Sequence, residues 1–359
     1  MVETTLGSIV EIILFLVLVI RAVNNPEFIQ VLQAAILGSI MTNLLLCLGF
    51  CFLVGGIKNK SEQKFHGVIS ETGSGILLVA GFALLIPSGM ILGRYIRNFA
   101  DQSPAFYAAL SGTTVTNTST VAKRQEAGAA AGLTMDQLVH DTLRISQGTS
   151  IILIIAFIIY IIYCAFSSHS VFDEILAQDE ERDNDRHRDM AKKKFTLTEC
   201  VFAIVISLAF VALIAVFLVE QIHYIVEDGV PDAFLGFILV PLVEKLAEHI
   251  TAIDEAYDDQ INFALYHCIG PSIQTALFNA PLAVIVGWGI NVHMDLNFEI
   301  FMIVLVVLSI LVVGNFLRDG SSNYLEGALL LVVYAIVALT TWYYPNPSVT
   351  STNGGGSVE

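Results

Sequence analysis

The sequence predicts an all-α polytopic membrane protein of about nine transmembrane helices built as an inverted repeat, and three observations predict it. Hydrophobic residues make up 55% of the 359 and charged residues only 14%, which leaves too little polar surface for a water-soluble domain of this size. The apolar residues arrive in long runs without the alternation of a strand barrel. Finally, the halves on either side of an acidic stretch near residues 167–195 echo each other in their glycines.

Apolar runs of about 15–26 residues, the first of them short, give nine candidate spans near 6–20, 31–54, 69–92, 148–167, 197–219, 233–253, 262–287, 299–317 and 324–344. The first run begins almost at Met1, no separate signal peptide precedes it, and it is expected to act as its own insertion signal. The connections holding Lys58 to Lys64, Arg182 to Lys194 and Arg318 carry ten Lys or Arg; the opposite side has six, five of them in the long loop 93–147. Because long loops cross regardless of charge, the first group is expected to be cytoplasmic, with the amino terminus, and the tail after Tyr344 to lie on the far side. Asn117-Thr-Ser119 is a glycosylation sequon there.

Ser167 to Phe195 is the one soluble insertion, acidic to Asp189 and then basic at Lys192 to Lys194. Phe172, Ile175 and Leu176 at i, i+3, i+4 predict a short amphipathic helix inside it. The insertion reads either as a solvated linker or as a cation-sensing or docking segment. The net charge of −16 likewise reads as solvated loops or as a surface for a basic partner. Asp254, Glu255, Asp258 and Asp259 either funnel cations or are a solvated loop. The five cysteines lie in or beside apolar runs with no paired metal spacing, and read as core or lipid-facing thiols.

The sixth run is the exception to the apolar pattern, since Pro241 to Ala252 carries Glu244, Lys245, Glu248 and His249. Helical spacing puts them on one broad face. An ionisable group at bilayer depth costs at least about 2.5–3.5 kcal/mol, so that face should point to a partner, a cavity or an ion path. A matching acid stands at Glu11 in the first run. Gly38 to Gly55 and Gly270 to Gly287 are both 17 residues apart, and five runs separate corresponding segments, so the two copies have opposite orientations. Inverted repeats of this kind are a property of secondary transporters, with the site near the midplane at the repeat interface.

With both copies in hand, the chain resembles the Ca2+/H+ antiporters of the calcium/cation exchanger superfamily, the fungal vacuolar type in particular. The resemblance rests on Gly7-Ser-Ile-Val-Glu11, Leu37 to Leu46, Ile145-Ser-Gln-Gly-Thr149 and Leu197-Thr-Glu-Cys200. In the second half it rests on Ala247 to Ala252, Ser272 to Phe278, Val286-Gly-Trp288, Leu296-Asn-Phe298, Asp319-Gly320, Asn323 to Gly327 and Tyr343-Tyr-Pro345. It implies the inverted-repeat cation-exchanger fold, with an incomplete first repeat over 1–167, an acidic cytoplasmic linker over 168–196 and a five-helix second repeat over 197–345; a disordered tail is expected over 346–359. It also implies that Glu11 and Glu248 alternately hold Ca2+ and protons; oxygen-only ligands by themselves fit Ca2+, Mn2+ or, less well, Na+. Ser8, Ser39, Asn43, Ser272 and Gln274 would be supporting oxygen donors, and His249 either a proton partner or a helix-interface residue. Asn43 and Thr42 also read as interhelical glue.

Glu244-Lys245 stands where the family has Gly-Asn, Ser8 where it has Asn, Pro271 where it has Ser, and Val216 where an acid is usual. Lys245 within a turn of Glu248 is expected to compete with a cation for its carboxylate; either this ion pair alters the site, or the lysine takes part in transport. The chain also starts at the family's first motif. Three readings follow: a Ca2+/H+ antiporter of the vacuolar membrane; a degenerate relative serving as regulatory or assembly partner of an intact exchanger; or an incomplete gene product of a true antiporter. Phosphate-cradling loops, nucleophile elbows and metalloprotease helices do not occur in the sequence, so no enzyme and no cofactor is expected. The acidic charge argues against nucleic acid as a partner, leaving lipid, cation and protons, and a homo- or hetero-oligomer as a further expectation.

Overall fold

The computed structural model describes residues 8–59, 62–102, 135–167, 169–182, 186, 191 and 195–344. Gly7, the sequon at Asn117, Lys192 to Lys194 and the tail from 346 lie outside them. Besides single helical turns, nine helical rods and a further helix in the acidic insertion form among the described residues. In chain order they are α1 (Ile9–Ala22), α2 (Glu27–Asn59), α3 (Gly67–Gln102), α4 (Met135–Ile162), the short α5 (His169–Arg182), α6 (Leu197–Glu227), α7 (Val240–Tyr257), α8 (Ile261–Gly289), α9 (Ile300–Phe316) and α10 (Tyr324–Trp342). Seven of the rods are long and apolar enough to cross a membrane. The exceptions are α1 and α7, the two that carry Glu11 and Glu248. With 14 residues, α1 spans only about 21 Å, and α7 is broken up by Glu244, Lys245 and Glu248. These two of the nine expected spans therefore differ from the seven in length or in charge.

The most buried rods, α2 and α8, form the core: 72% and 78% of their apolar stretches are buried, against 6% for α6. Packing follows the repeat. Helix α2 lies on α10 as α8 lies on α4; α2 touches α7 as α8 touches α1; α3 and α9 pack on each other. Helix α6 covers α1, whereas α7 shows Val243, Leu246 and Ile250 on an open apolar face.

Both core rods widen into a π turn at matching places, Thr42–Cys47 and Thr275–Asn279, and a third, Leu235–Leu239, leads into α7. Pro241 and Pro281 explain two of them, because a proline has no N–H for the carbonyl four residues earlier. The carbonyl freed by Pro241 belongs to Phe237, and it approaches Gly38 so closely that a Cβ there would sit 2.2 Å from it. No proline lies behind Thr42–Cys47.

The connections expected on the cytoplasmic side meet one another. Strands β1 (Gln63–Lys64) and β2 (Ser321–Ser322) pair, Lys58 Nζ donates to Tyr257 at 2.8 Å, Gln63 Nε2 donates to Asp259 at 2.9 Å and the His66 N–H to Asn262 Oδ1 at 2.8 Å. Asp259 is thus engaged by the β1 connection. On the opposite face, Ser146 Oγ of α4 accepts from the Leu296 N–H and Ser88 Oγ of α3 from the Phe298 N–H, so two helix serines clip the connection between α8 and α9. Thr196 with Glu199, and Asn323 with Glu326, form capping boxes at the starts of α6 and α10.

Within the acidic insertion, α5 forms where its apolar spacing predicts, and it docks rather than floats. Ile175 and Asp179 are buried, and Asp179 accepts from the Asn262 N–H at 2.8 Å and from Asn262 Nδ2 at 3.0 Å, capping α8 from another element. Burial pushes the Asp179 carboxyl above the ordinary carboxylate range against the pull of those hydrogen bonds. The docked state therefore holds more protons than the undocked one, so docking is tightest below the ordinary carboxylate value and weakens as pH rises from there through the raised one. Hydrogen exchange across 169–182 should quicken over that window in the parent and lose this pH dependence in Asp179→Asn.

Gly327 sets how closely α10 approaches α2, since a Cβ there would sit 2.3 Å from the Leu53 nitrogen and 2.6 Å from the Gly49 carbonyl. Gly327→Ala has to push the α10 and α2 backbones apart, and overpacking of this kind costs about 1–3 kcal/mol. A lower thermal midpoint for the detergent-purified variant is the expected readout.

Candidate functional site

Glu11 and Glu248 meet at one ammonium group. Glu11 is fully buried on α1, one helical turn after Ser8, itself buried at the head of the helix. Its Oε1 accepts from Thr275 Oγ1 at 2.7 Å, and its Oε2 lies 3.0 Å from Lys245 Nζ. Lys245, 1% exposed, also contacts Glu248 Oε2, one turn onward along α7, at 3.3 Å. Glu248 is 30% exposed, because the face of α7 next to it is open. Glu244 adds a third carboxylate within electrostatic reach of Lys245, and its two oxygens find no hydrogen-bond partner among the described residues.

The two core rods hold this centre reciprocally. From the π turn of α8, Thr275 holds Glu11 of α1; from the π turn of α2, Asn43 Oδ1 accepts from His249 Nε2 of α7 at 3.0 Å. A shift of 232 residues carries Gly38 onto Gly270 and Asn43 onto Thr275, so equivalent positions each grip the acidic helix of the other repeat. His249 is therefore engaged at the α2–α7 interface. Thr42 Oγ1 lies 3.4 Å from the Tyr334 hydroxyl and serves as glue to α10.

The expected oxygen donors divide. Ser272 Oγ donates to the Cys268 carbonyl at 2.8 Å, back along its own helix. Among the described residues, Ser39 Oγ, Asn43 Nδ2 and Gln274 Nε2 are buried without a hydrogen-bond partner, as are both polar atoms of Asn279. Orphaned buried polar groups are expensive, and their presence on the core rods marks an interior built to meet something polar. Sequence reasoning missed Thr275 and Asn279. The repeat offset that pairs Asn43 with position 275 was the available signal for the first; nothing singles out the second. The expectation that Lys245 pairs within its own helix was incomplete, because its shorter contact crosses to Glu11.

Electrostatically the centre holds one fixed positive charge among three carboxylates. Glu11 and Lys245 are the two of these residues buried to 1% or less, and the ammonium joins an acid of one repeat to an acid of the other. Apolar rods folded as an inverted repeat around such a charge make this an integral membrane protein of the carrier class. The chain belongs to the sodium/calcium exchanger protein family, which matches residues 2–166 and 200–343. It is 31% identical over 351 residues to vacuolar cation/proton exchanger 2 of Arabidopsis thaliana, covering 96% of this chain and 68% of that one. It is 28% identical over 344 residues to the vacuolar calcium ion transporter of Schizosaccharomyces pombe, covering 96% and 71%. Among solved structures it is similar to native YfkE, with TM-score 0.64, 25% identity and coverage of 94% and 81%. It also shares the fold of the selenium-substituted Ca2+/H+ antiporter protein YfkE, with TM-score 0.66, 24% identity and coverage of 96% and 85%.

Proposed function

We propose that the chain is a secondary active carrier exchanging Ca2+, or a similar divalent cation such as Mn2+, for protons across the membrane of an acidic organelle, the vacuole in the first instance. The observation that supports this reading is that a glutamate from each repeat, Glu11 and Glu248, contacts the same ammonium, that of Lys245. Carboxylates are the ligand type Ca2+ takes, six to eight oxygens in all, and each can hold a proton in its place at low dielectric. Ser39 Oγ and Asn279 Oδ1 are buried oxygens with no hydrogen-bond partner among the described residues, whereas the spare atoms of Asn43 and Gln274 are amide nitrogens, which only donate. The relatives' vacuolar names support the location and the cation class.

A second reading is favoured by one specific contact, the Lys245 ammonium between those glutamates. In that reading the lysine is a tethered cation that keeps the site filled, and the chain acts as a regulatory or assembly partner of an intact exchanger. Proton-driven 45Ca and 54Mn uptake by the purified chain in liposomes with an acidic interior separates the two. The first reading expects uptake that a protonophore abolishes and that Glu11→Gln and Glu248→Gln each remove. The second expects none above protein-free liposomes.

A further inference from the structure

Three cysteines outside the exchange site converge one helical turn away from it. Cys47 and Cys51 stand at i, i+4 on α2, and Cys268 meets them from α8. Each is at most 1% exposed, and their Sγ atoms all lie within 4.8 Å of one another, Cys47 and Cys268 at 3.4 Å. Sequence spacing concealed this cluster, because Cys268 lies 221 residues beyond Cys47. Cys47 follows Asn43 by one turn, and Cys268 precedes Ser272 by one turn. The cluster therefore extends the polar seam of the core rods toward the ends marked by Lys58 and Asn262.

The dimensions suit a metal ion. In a triangle of sulfurs with edges of about 4 Å, the centre lies about 2.3 Å from each, the Zn–S bond length. Three sulfurs select thiophilic ions over the hard, oxygen-seeking ions that carboxylates take. We propose that Cys47, Cys51 and Cys268 form a buried site for a thiophilic divalent cation of the zinc and cadmium class, separate from the glutamate centre. On binding, each S–H bond breaks heterolytically. The electron pair stays on sulfur to form the metal–sulfur bond, and the proton leaves to solvent. Nothing is oxidised or reduced, and binding strengthens as pH rises. The bound ion would pin α2 to α8, the core rods of the two repeats.

The test titrates the purified full chain, reduced and in detergent, with Cd2+ alone, following the thiolate-to-cadmium charge-transfer absorbance. One Cd2+ per chain should give the band, with proton release, and the Cys164→Ser/Cys200→Ser variant should keep both. Cys47→Ser, Cys51→Ser and Cys268→Ser should each weaken binding by more than about 100-fold, since losing an outer-shell partner alone costs about 10–100-fold. Pulse alkylation of the parent, mapped by mass spectrometry, needs no variant: Cd2+ should protect Cys47, Cys51 and Cys268 and leave Cys164 and Cys200 unchanged. Failure of the parent to give the band while all its thiols are reduced overturns the site, as does protection confined to Cys164 and Cys200.

Discussion

Lys245→Asn combined with Glu244→Gly is expected to raise proton-driven Ca2+ uptake at least about tenfold over the parent chain. The ammonium lies 3.0 Å from Glu11 and 3.3 Å from Glu248, so a Ca2+ ion bound to the same carboxylates would sit within a few ångströms of a fixed positive charge. At an effective dielectric of about 20, two unit charges 4 Å apart repel by about 4 kcal/mol, and a divalent ion doubles that. Relief of even a fifth of this repulsion is a factor of about ten in occupancy. The asparagine also returns a carbonyl oxygen where the lysine offers only donors. Lys245→Asn alone should do less. It leaves Glu11, Glu244 and Glu248 with no counter-charge, and one of them must then stay protonated. Parent liposomes that already accumulate 45Ca well, with no gain in the double variant, would show that the lysine swings clear of the path during the cycle.

How much of this could be read beforehand depends on which pattern carried it. The equal glycine spacings of 17 residues announced two copies of one unit, and the meeting of residues 11 and 248 follows from folding those copies back to back. Helical periodicity also found α5, but its docking on α8 was an open alternative, because Asp179 looks like one more acid in an acidic run. The pairing of Lys245 was half visible. Local spacing shows what is one turn away, Glu248, and is silent about a residue 234 positions earlier. The cysteine cluster was hidden for the same reason. Several residues quoted for the family resemblance prove to be positioning elements: Ser146 clips a connection, Glu199 and Glu326 close caps, and Gly327 admits a neighbouring backbone. A motif in a single sequence does not distinguish a ligand from the residue that lets a helix reach it.

Glu11→Gln should be the most destabilising single change at the centre, costing about 3–5 kcal/mol, because it removes the enclosed partner of a buried charge and leaves the other behind. The neutral amide retains the hydrogen bond from Thr275, so the loss isolates the charge. Glu248→Gln removes the longer contact and leaves the ammonium its nearer partner Glu11, so its cost should be well under half as large. Lys245→Met separates the effect of an orphaned ammonium from that of a lost packing group. In its background Glu11→Gln should become almost neutral, giving a coupling of a few kcal/mol in the double-mutant cycle. Thermal unfolding of the four detergent-purified chains at one pH measures it. Additive losses for Glu11→Gln and Lys245→Met would mean that each side chain is stabilised independently and that the ion pair joining the repeats contributes nothing to holding α1 against α7.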